Sequence, residues 1–420
     1  MQPVGYRELL SRFPDFRRLW LADVASLFGD WLNTLAIYAL VAAITDSPLA
    51  LGLVFIAKLL PSALASPFAG LLVDRFDRRH LMIAADLLRA AIVACFLLID
   101  ADSWVGWVYL LAMAQVMVSA VFQPARSAAT PNVVSADALS TANALGAITW
   151  STILTVGAGV GGVLVDLLGA HAVFLIDAGT YLISAALIAR TVIPQHTDAG
   201  TGAGSPSEVL QGIGDGVAYM RRHPGVGRIA CAKALWTVGI GAIYYMFVVI
   251  APTLAPDAPS TAIGLLYAAA GLGTGLGPVL ARAWLPEARW PVALGAVMCL
   301  GGAVYAVFSV LPWGIGIVAL VVLAHGGGGA NWVMSSVLLQ RRTEDRYRGR
   351  VFANEMLMLT VTNATTIAVA SALLGPLAVE PRHAILAFAL LQIGVGASFM
   401  GWVRRGEGRA AQAAQGRGPA

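Results

Sequence analysis

Chemistry in this chain could be done by the few polar side chains that interrupt its long apolar runs. Asp23, Asp30 and Asn33 stand in the first run, Lys58 in the second, Asp86 and Arg89 in the third, and Gln115 in the fourth. Lys233 and Glu355 stand in later ones. A charged side chain inside hydrocarbon is expensive, so it faces a cavity or a partner. Counting about 1.5 Å per helical residue from the segment ends puts Asp30 and Lys58 at one depth near a bilayer midplane. They read as an ion pair able to carry a proton or a substrate charge; a purely structural pair is the competing reading. Asp23 shares a helical face with Asp30, and Asn33 continues that side, a polar stripe suited to a cavity wall. Asp86 and Arg89 are one turn apart and can pair locally, which favours a structural role. Lys233 and Glu355 share a depth in spans 7 and 11 and can pair across the C-terminal half. No GxxxxGK[ST], HExxH or GxSxG occurs, so neither bound ATP nor an enzyme is expected. Cys95, Cys231 and Cys299 lie in apolar runs without a CxxC, so no metal and no cofactor is expected.

The elements that must position these groups are transmembrane helices. Of 420 residues, 58% are hydrophobic and only 12% charged, about half the share of a soluble protein. Mean hydropathy is +0.76, and no Asp, Glu, Lys or Arg occurs from Trp290 to Gln340. Twelve apolar segments stand out, at 16–41, 48–73, 79–99, 104–125, 138–165, 168–190, 226–251, 259–285, 289–309, 312–338, 348–374 and 381–403. Each exceeds the roughly 20 residues that cross hydrocarbon. The fold class expected is an all-α polytopic membrane protein of two six-helix bundles.

Arginines set the orientation. They crowd both termini and the breaks after even-numbered segments, while the other breaks carry Asp46, Asp100, Asp102, Asp257 and Glu380, with Arg382 the basic exception. Both termini are therefore expected in the cytoplasm, in a multi-pass protein of the plasma (inner) membrane. The net charge of +4 follows from this bias and does not point to nucleic acid. Residues 1–190 are expected to form one bundle and 226–405 the other. The break 191–225 reads as a cytoplasmic linker with a short amphipathic helix, capped by Ser207, and 406–420 as a disordered cytoplasmic tail. Trp31, Tyr38, Trp150, Trp236, Tyr244, Tyr245 and Trp332 are candidate cavity aromatics; Trp104, Trp107, Trp290 and Trp313 read as interface anchors. Gly157, Gly161 and Gly162 permit close helix packing.

One cytoplasmic turn is denser in charge than a positive-inside loop requires. GLLVDRFDRR carries Asp74, Arg75, Asp77, Arg78 and Arg79 after Gly70. A carboxylate at the C-terminal end of its own helix, as Asp74 is, opposes that helix's dipole and needs another partner. The spacing reads as a gate latch.

These residues resemble the signature G-x-x-x-D-R-x-G-R-[RK] of the major facilitator superfamily, with Asp77 where many members have Gly. The likeness runs from Phe16 to about Gly401 and includes FRRLWLADVASLFGDWLNTLAIYAL, FQPARSAATPNVV and YRGRVFA, as in the drug-efflux-type branch with twelve spans. It implies that Asp74 holds a cytoplasmic gate near Gly349 and Arg350. Two motifs depart from the antiporter pattern: span 4 has Gln115 and no interior arginine, and GAGVGG has Ala158 at the usual proline position.

The function expected is secondary active export of amphipathic or hydrophobic organic compounds by alternating access, with protons as candidate coupling ions. A lysophospholipid or lipid flippase and a siderophore exporter are the alternatives. Partners expected are a small organic or lipid-like substrate and membrane lipids, with the protein a monomer.

Overall fold

Inside hydrocarbon every backbone N–H and C=O must be satisfied within the protein, and the helix does so locally. The computed structural model describes residues 4–194 and 206–415, and no strand occurs among them. Side chains at 66–68, 70, 71, 74, 206–210 and 408–415 lie outside the described set, which includes those of Gly70 and Asp74.

The order is α1 (Tyr6–Arg12), α2 (Pro14–Ile44), α3 (Pro48–Arg75), α4 (Arg78–Cys95), α5 (Gly106–Val133), α6 (Leu139–Ala189), α7 (Pro206–Arg222), α8 (Pro224–Ala230), α9 (Ala232–Leu254), α10 (Pro259–Trp284), α11 (Trp290–Val310), α12 (Ile317–Arg342), α13 (Asp345–Leu374) and α14 (Pro381–Gln415). Proline opens several of them, where its missing N–H is harmless. Asp77 caps α4 by accepting the His80 N–H at 2.9 Å.

Eleven helical stretches among the described residues are long and apolar enough to cross a membrane. The difference from the twelve segments expected lies in α6, whose 51 residues run through both the fifth and the sixth. No polar turn divides them. The continuity is interrupted only at Gly169, at φ 81° and ψ 160°, a backbone conformation that favours glycine.

The chain divides into two compact units. The first is Met1–Pro206 with Ala251–Ala268. Its core joins Leu19 and Ala22 of α2 to Met82 of α4, Phe122 of α5 and Ile188 of α6. Residues 251–268, expected in the second bundle, cluster here for two reasons. Gly162 presents no side chain where a Cβ would strike the Ser260 carbonyl. The Asp166 carboxylate also accepts the N–H groups of Ser260 (3.2 Å) and Thr261 (2.6 Å), the unsatisfied donors at the start of α10. Gly157 and Gly161 lie against Trp31 and Leu32 of α2, at 3.1 and 3.2 Å from an added Cβ.

The second unit is Ser207–Ile250 with Ala269–Ala420. Met298, Met334, Val351 and Phe399 are buried in its core beside Tyr219 and Met220 of α7. So α7 is packed into this unit rather than standing apart as a linker helix. The Asn354 amide donates to the Ile213 carbonyl (3.1 Å), and Arg350 pairs with Asp215 (3.0 Å) on the exposed side. Helix α7 starts at Pro206, so Ser207 lies inside its first turn and not at the cap. The linker residues 195–205 lie outside the described residues. The tail expected to be disordered from 406 continues as helix to Gln415, with 416–420 outside the described residues. Trp290 is only 9% exposed and packs in the core, its indole N–H donating to the Leu285 carbonyl, so it is not an interface anchor. Trp104 and Trp107 are exposed, and many leucines on the outer helix faces are too, as lipid-facing surfaces require.

Candidate functional site

The polar groups of the first unit converge between α2, α3, α4, α5 and α6. Asp30 on α2 accepts a hydrogen bond from the Tyr181 hydroxyl of α6 at 2.5 Å. That hydroxyl accepts one in turn from the Gln115 amide of α5 at 2.9 Å. The other Asp30 oxygen lies 3.8 Å from the Arg89 guanidinium of α4. Arg89 also pairs with Asp86, whose second oxygen accepts from the Ser184 hydroxyl at 2.6 Å. The guanidinium rests over the rings of Tyr181 (4.3 Å) and Phe122 (4.6 Å). Asp86 and Arg89 are thus more than a local pair, since Arg89 ties two carboxylates from two helices. A cation so placed is held by charge, hydrogen bonds and π faces together.

The ion pair expected between Asp30 and Lys58 is not formed. The Lys58 ammonium donates to the Thr34 hydroxyl at 2.6 Å, and Thr34 donates to the Asp30 backbone carbonyl at 2.7 Å. The reason is occupancy: Tyr181 and Arg89 already hold the two oxygens of Asp30, and Thr34, one turn on, offers Lys58 the free acceptor. Asp30 and Lys58 nevertheless line one cavity, of about 540 Å³, with Gln115, Gln123, Trp31 and Thr34. The Asp30 side chain is 35% exposed to it.

The rest of the span-1 stripe turns inward. Asp23 is buried, 3.3 Å from Arg126, and accepts from the Gln123 amide at 3.0 Å. Asn33 is fully buried with neither amide atom hydrogen-bonded. Asp177 on α6 is also fully buried, one carboxyl oxygen without a partner, beside Gly29, where any side chain would strike it. Tyr181, Asp177, Ser184 and Arg126 were not among the expected site residues. Asp177, Tyr181 and Ser184 recur at helical spacing on one face of α6, a signal already present in the sequence.

In the second unit Lys233 of α9 and Glu355 of α13 meet at 2.9 Å, both buried. Lys233 also donates to the Ser336 hydroxyl (2.9 Å) and lies 4.3 Å from the Trp332 ring centre. Around the charged turn, Arg78 donates to the Ala128 carbonyl (2.8 Å), and Arg79 donates to the carbonyls of Ile188 and Ala189. Arg79 thus caps the C-terminal end of α6, while the Arg78 acceptor lies inside α5. Arg75 is exposed, Gly349 has open space about it, and Arg350 is engaged with Asp215.

The chain matches the family model described as Major Facilitator Superfamily over residues 19–354. An MFS-type transporter of Sinorhizobium fredii, y4rN, is 28% identical over 364 residues, 83% of this chain and 86% of that one. The enterobactin exporter EntS of Shigella boydii is 26% identical over 399 residues, 92% of each. Among solved structures, the nucleoside transporter NupG superposes with a TM-score of 0.71 at 14% identity, covering 92% of this chain and 99% of that one. A bacterial homologue of the lysosomal transporter Spinster gives 0.71 at 14%, covering 94% and 97%. With its apolar spans and a family model that matches residues 19–354, this chain belongs to the Major Facilitator Superfamily of transporters.

Proposed function

We propose that the protein is a secondary active exporter of amphipathic or hydrophobic organic compounds, of the drug-efflux type, in the plasma membrane. It works by alternating access as a monomer of twelve spans, counting α6 as two about Gly169, with both termini cytoplasmic. The observation that carries the reading is the 540 Å³ cavity of the first unit, lined by Trp31, Val116 and Pro124 together with Asp30, Lys58 and Gln115. Such a lining suits an organic molecule with one polar end. Asp30 is the proposed coupling group, because it faces the cavity while Arg89 and Tyr181 bind it from behind. Asp74 is the proposed residue of the cytoplasmic gate.

The test uses purified protein in proteoliposomes, with ethidium as probe and an imposed proton gradient. Gradient-driven ethidium accumulation by the wild type, lost in Asp30→Asn while passive exchange persists, is the expected result. Full accumulation by folded Asp30→Asn protein removes Asp30 from the coupling role.

The 26% likeness to the enterobactin exporter supports a second reading, export of a siderophore. Both Lys58 and Arg89 lie at or behind the cavity, as an anionic catecholate would need. Enterobactin in place of ethidium in the same vesicles separates the two: transport of enterobactin and not of ethidium favours the siderophore.

A further inference from the structure

A second cavity lies in the other unit, away from every group discussed above. It measures about 620 Å³ and sits where α8, the end of α12 and the end of α14 meet. Three arginines line it, Arg228, Arg342 and Arg405, against one carboxylate, Glu407. Glu407 is committed to Arg342 at 2.6 Å. Arg405 spends its Nε on the Gly401 carbonyl at 3.2 Å, and no carboxylate among the described residues is within ion-pair distance of Arg405 or Arg228. Among the described residues, two guanidiniums at one hollow therefore have no carboxylate partner.

The hollow is shaped by what is missing from the backbone. The Arg228 guanidinium lies flat on Gly406, so a Cβ there would collide with it. Arg342 passes Gly225 at 3.9 Å from where a Cβ would stand. A side chain at Gly406 would turn Arg228 away, whereas one at Gly225 would only reach ordinary contact with Arg342. A positive-inside loop needs arginines, but it does not need them converging over glycines on a common cavity. Trp402, 46% exposed, closes one side. Indole rings favour the boundary between hydrocarbon and headgroups, so this wall suits an acyl-chain root.

We propose that this cavity is a binding site for the phosphate headgroup of an anionic phospholipid. Arg228 and Arg405 hold the phosphate, and Trp402 lies along the glycerol and upper chain. Guanidinium pairs phosphate oxygens in a fork that an ammonium cannot match, and the chain has 25 arginines against two lysines. The volume falls in the range of small-molecule sites. The site is separate from transport chemistry, so its occupancy does not depend on what the protein exports.

The test is native mass spectrometry of the full chain, released from nanodiscs of equal phosphatidylglycerol and phosphatidylcholine. The wild type should retain phosphatidylglycerol in preference. Each arginine near a membrane surface contributes roughly a fivefold factor, so Arg228→Gln with Arg405→Gln should cut the preference by more than tenfold. Gly406→Leu, which keeps every charge and favours helix, should cut it too, because it displaces Arg228. Arg7→Gln with Arg17→Gln, a control of equal charge change, should leave it unaltered. Retention unchanged in folded Gly406→Leu protein, or falling as far in the control, overturns the site. Displacement of phosphatidylglycerol by inorganic phosphate at matched concentration also overturns it, in favour of a free anion.

Discussion

The Tyr181 hydroxyl donates to Asp30 at 2.5 Å across two helices, and through it the Gln115 amide is linked to that carboxylate. A hydrogen bond to a charged acceptor contributes about 1.5–3 kcal/mol. Its geometry fixes the aspartate side chain toward the cavity, with Arg89 on the opposite oxygen.

Tyr181→Phe removes the donor and keeps the ring under Arg89. The protein should fold, with a midpoint of thermal unfolding lowered by a few degrees, on the order of 1–2 kcal/mol. Ethidium accumulation should fall severalfold. Thermal unfolding of the detergent-solubilised protein and flux in the same preparation check both.

Lys58 and Arg89 should part company in mutagenesis. Lys58→Met leaves the Arg89 contact with Asp30 intact, so the protein should express and unfold near the wild-type temperature while its selectivity between cationic and anionic probes shifts. Arg89→Met strips the cation from Asp86 and Asp30 at once. Loss of a buried partner costs about 3–5 kcal/mol, so this variant should be much less stable. Comparable unfolding temperatures for the two variants would contradict the assignment of Arg89 as the partner of Asp30.

The pair in the second unit lends itself to a double-mutant cycle. Glu355→Gln alone leaves the Lys233 ammonium buried without its carboxylate and should destabilise by about 3–5 kcal/mol. Lys233→Met with Glu355→Gln should recover most of that. A double variant no more stable than the worse single one would show that the pair is not a closed unit.

At the start of α10, Asp166→Ala removes the acceptor for two backbone N–H groups and should cost about 1 kcal/mol. Gly162→Leu, whose side chain would meet the Ser260 backbone, should cost more and separate residues 251–268 from α6. Cysteine cross-linking between the start of α10 and α6 reads the separation: efficient linking in Gly162→Leu would refute the close-approach argument.

Much of this was legible before any coordinates. Apolar length gave the helices, and depth counting brought Lys233 and Glu355 to the same level, where they meet at 2.9 Å. Depth alone could not assign partners. Asp30 and Lys58 share a level, but rotation about α2 and α3 decides who faces whom, and the winner was Arg89, discounted as local because Asp86 stands three residues away. Tyr181 was overlooked because a tyrosine in an apolar run looks like packing until its hydroxyl has an acceptor. Asp166 was invisible as a cap because its donors are some ninety-five residues distant in sequence.

The single interruption of α6 stands between its two apolar stretches. Drawn as one rod, its 51 residues would reach about 76 Å, more than twice a hydrocarbon thickness of roughly 30 Å. Its two halves are separate helices that meet at the backbone of Gly169. A residue reluctant to take that φ at 169 would therefore disturb both apolar stretches at once.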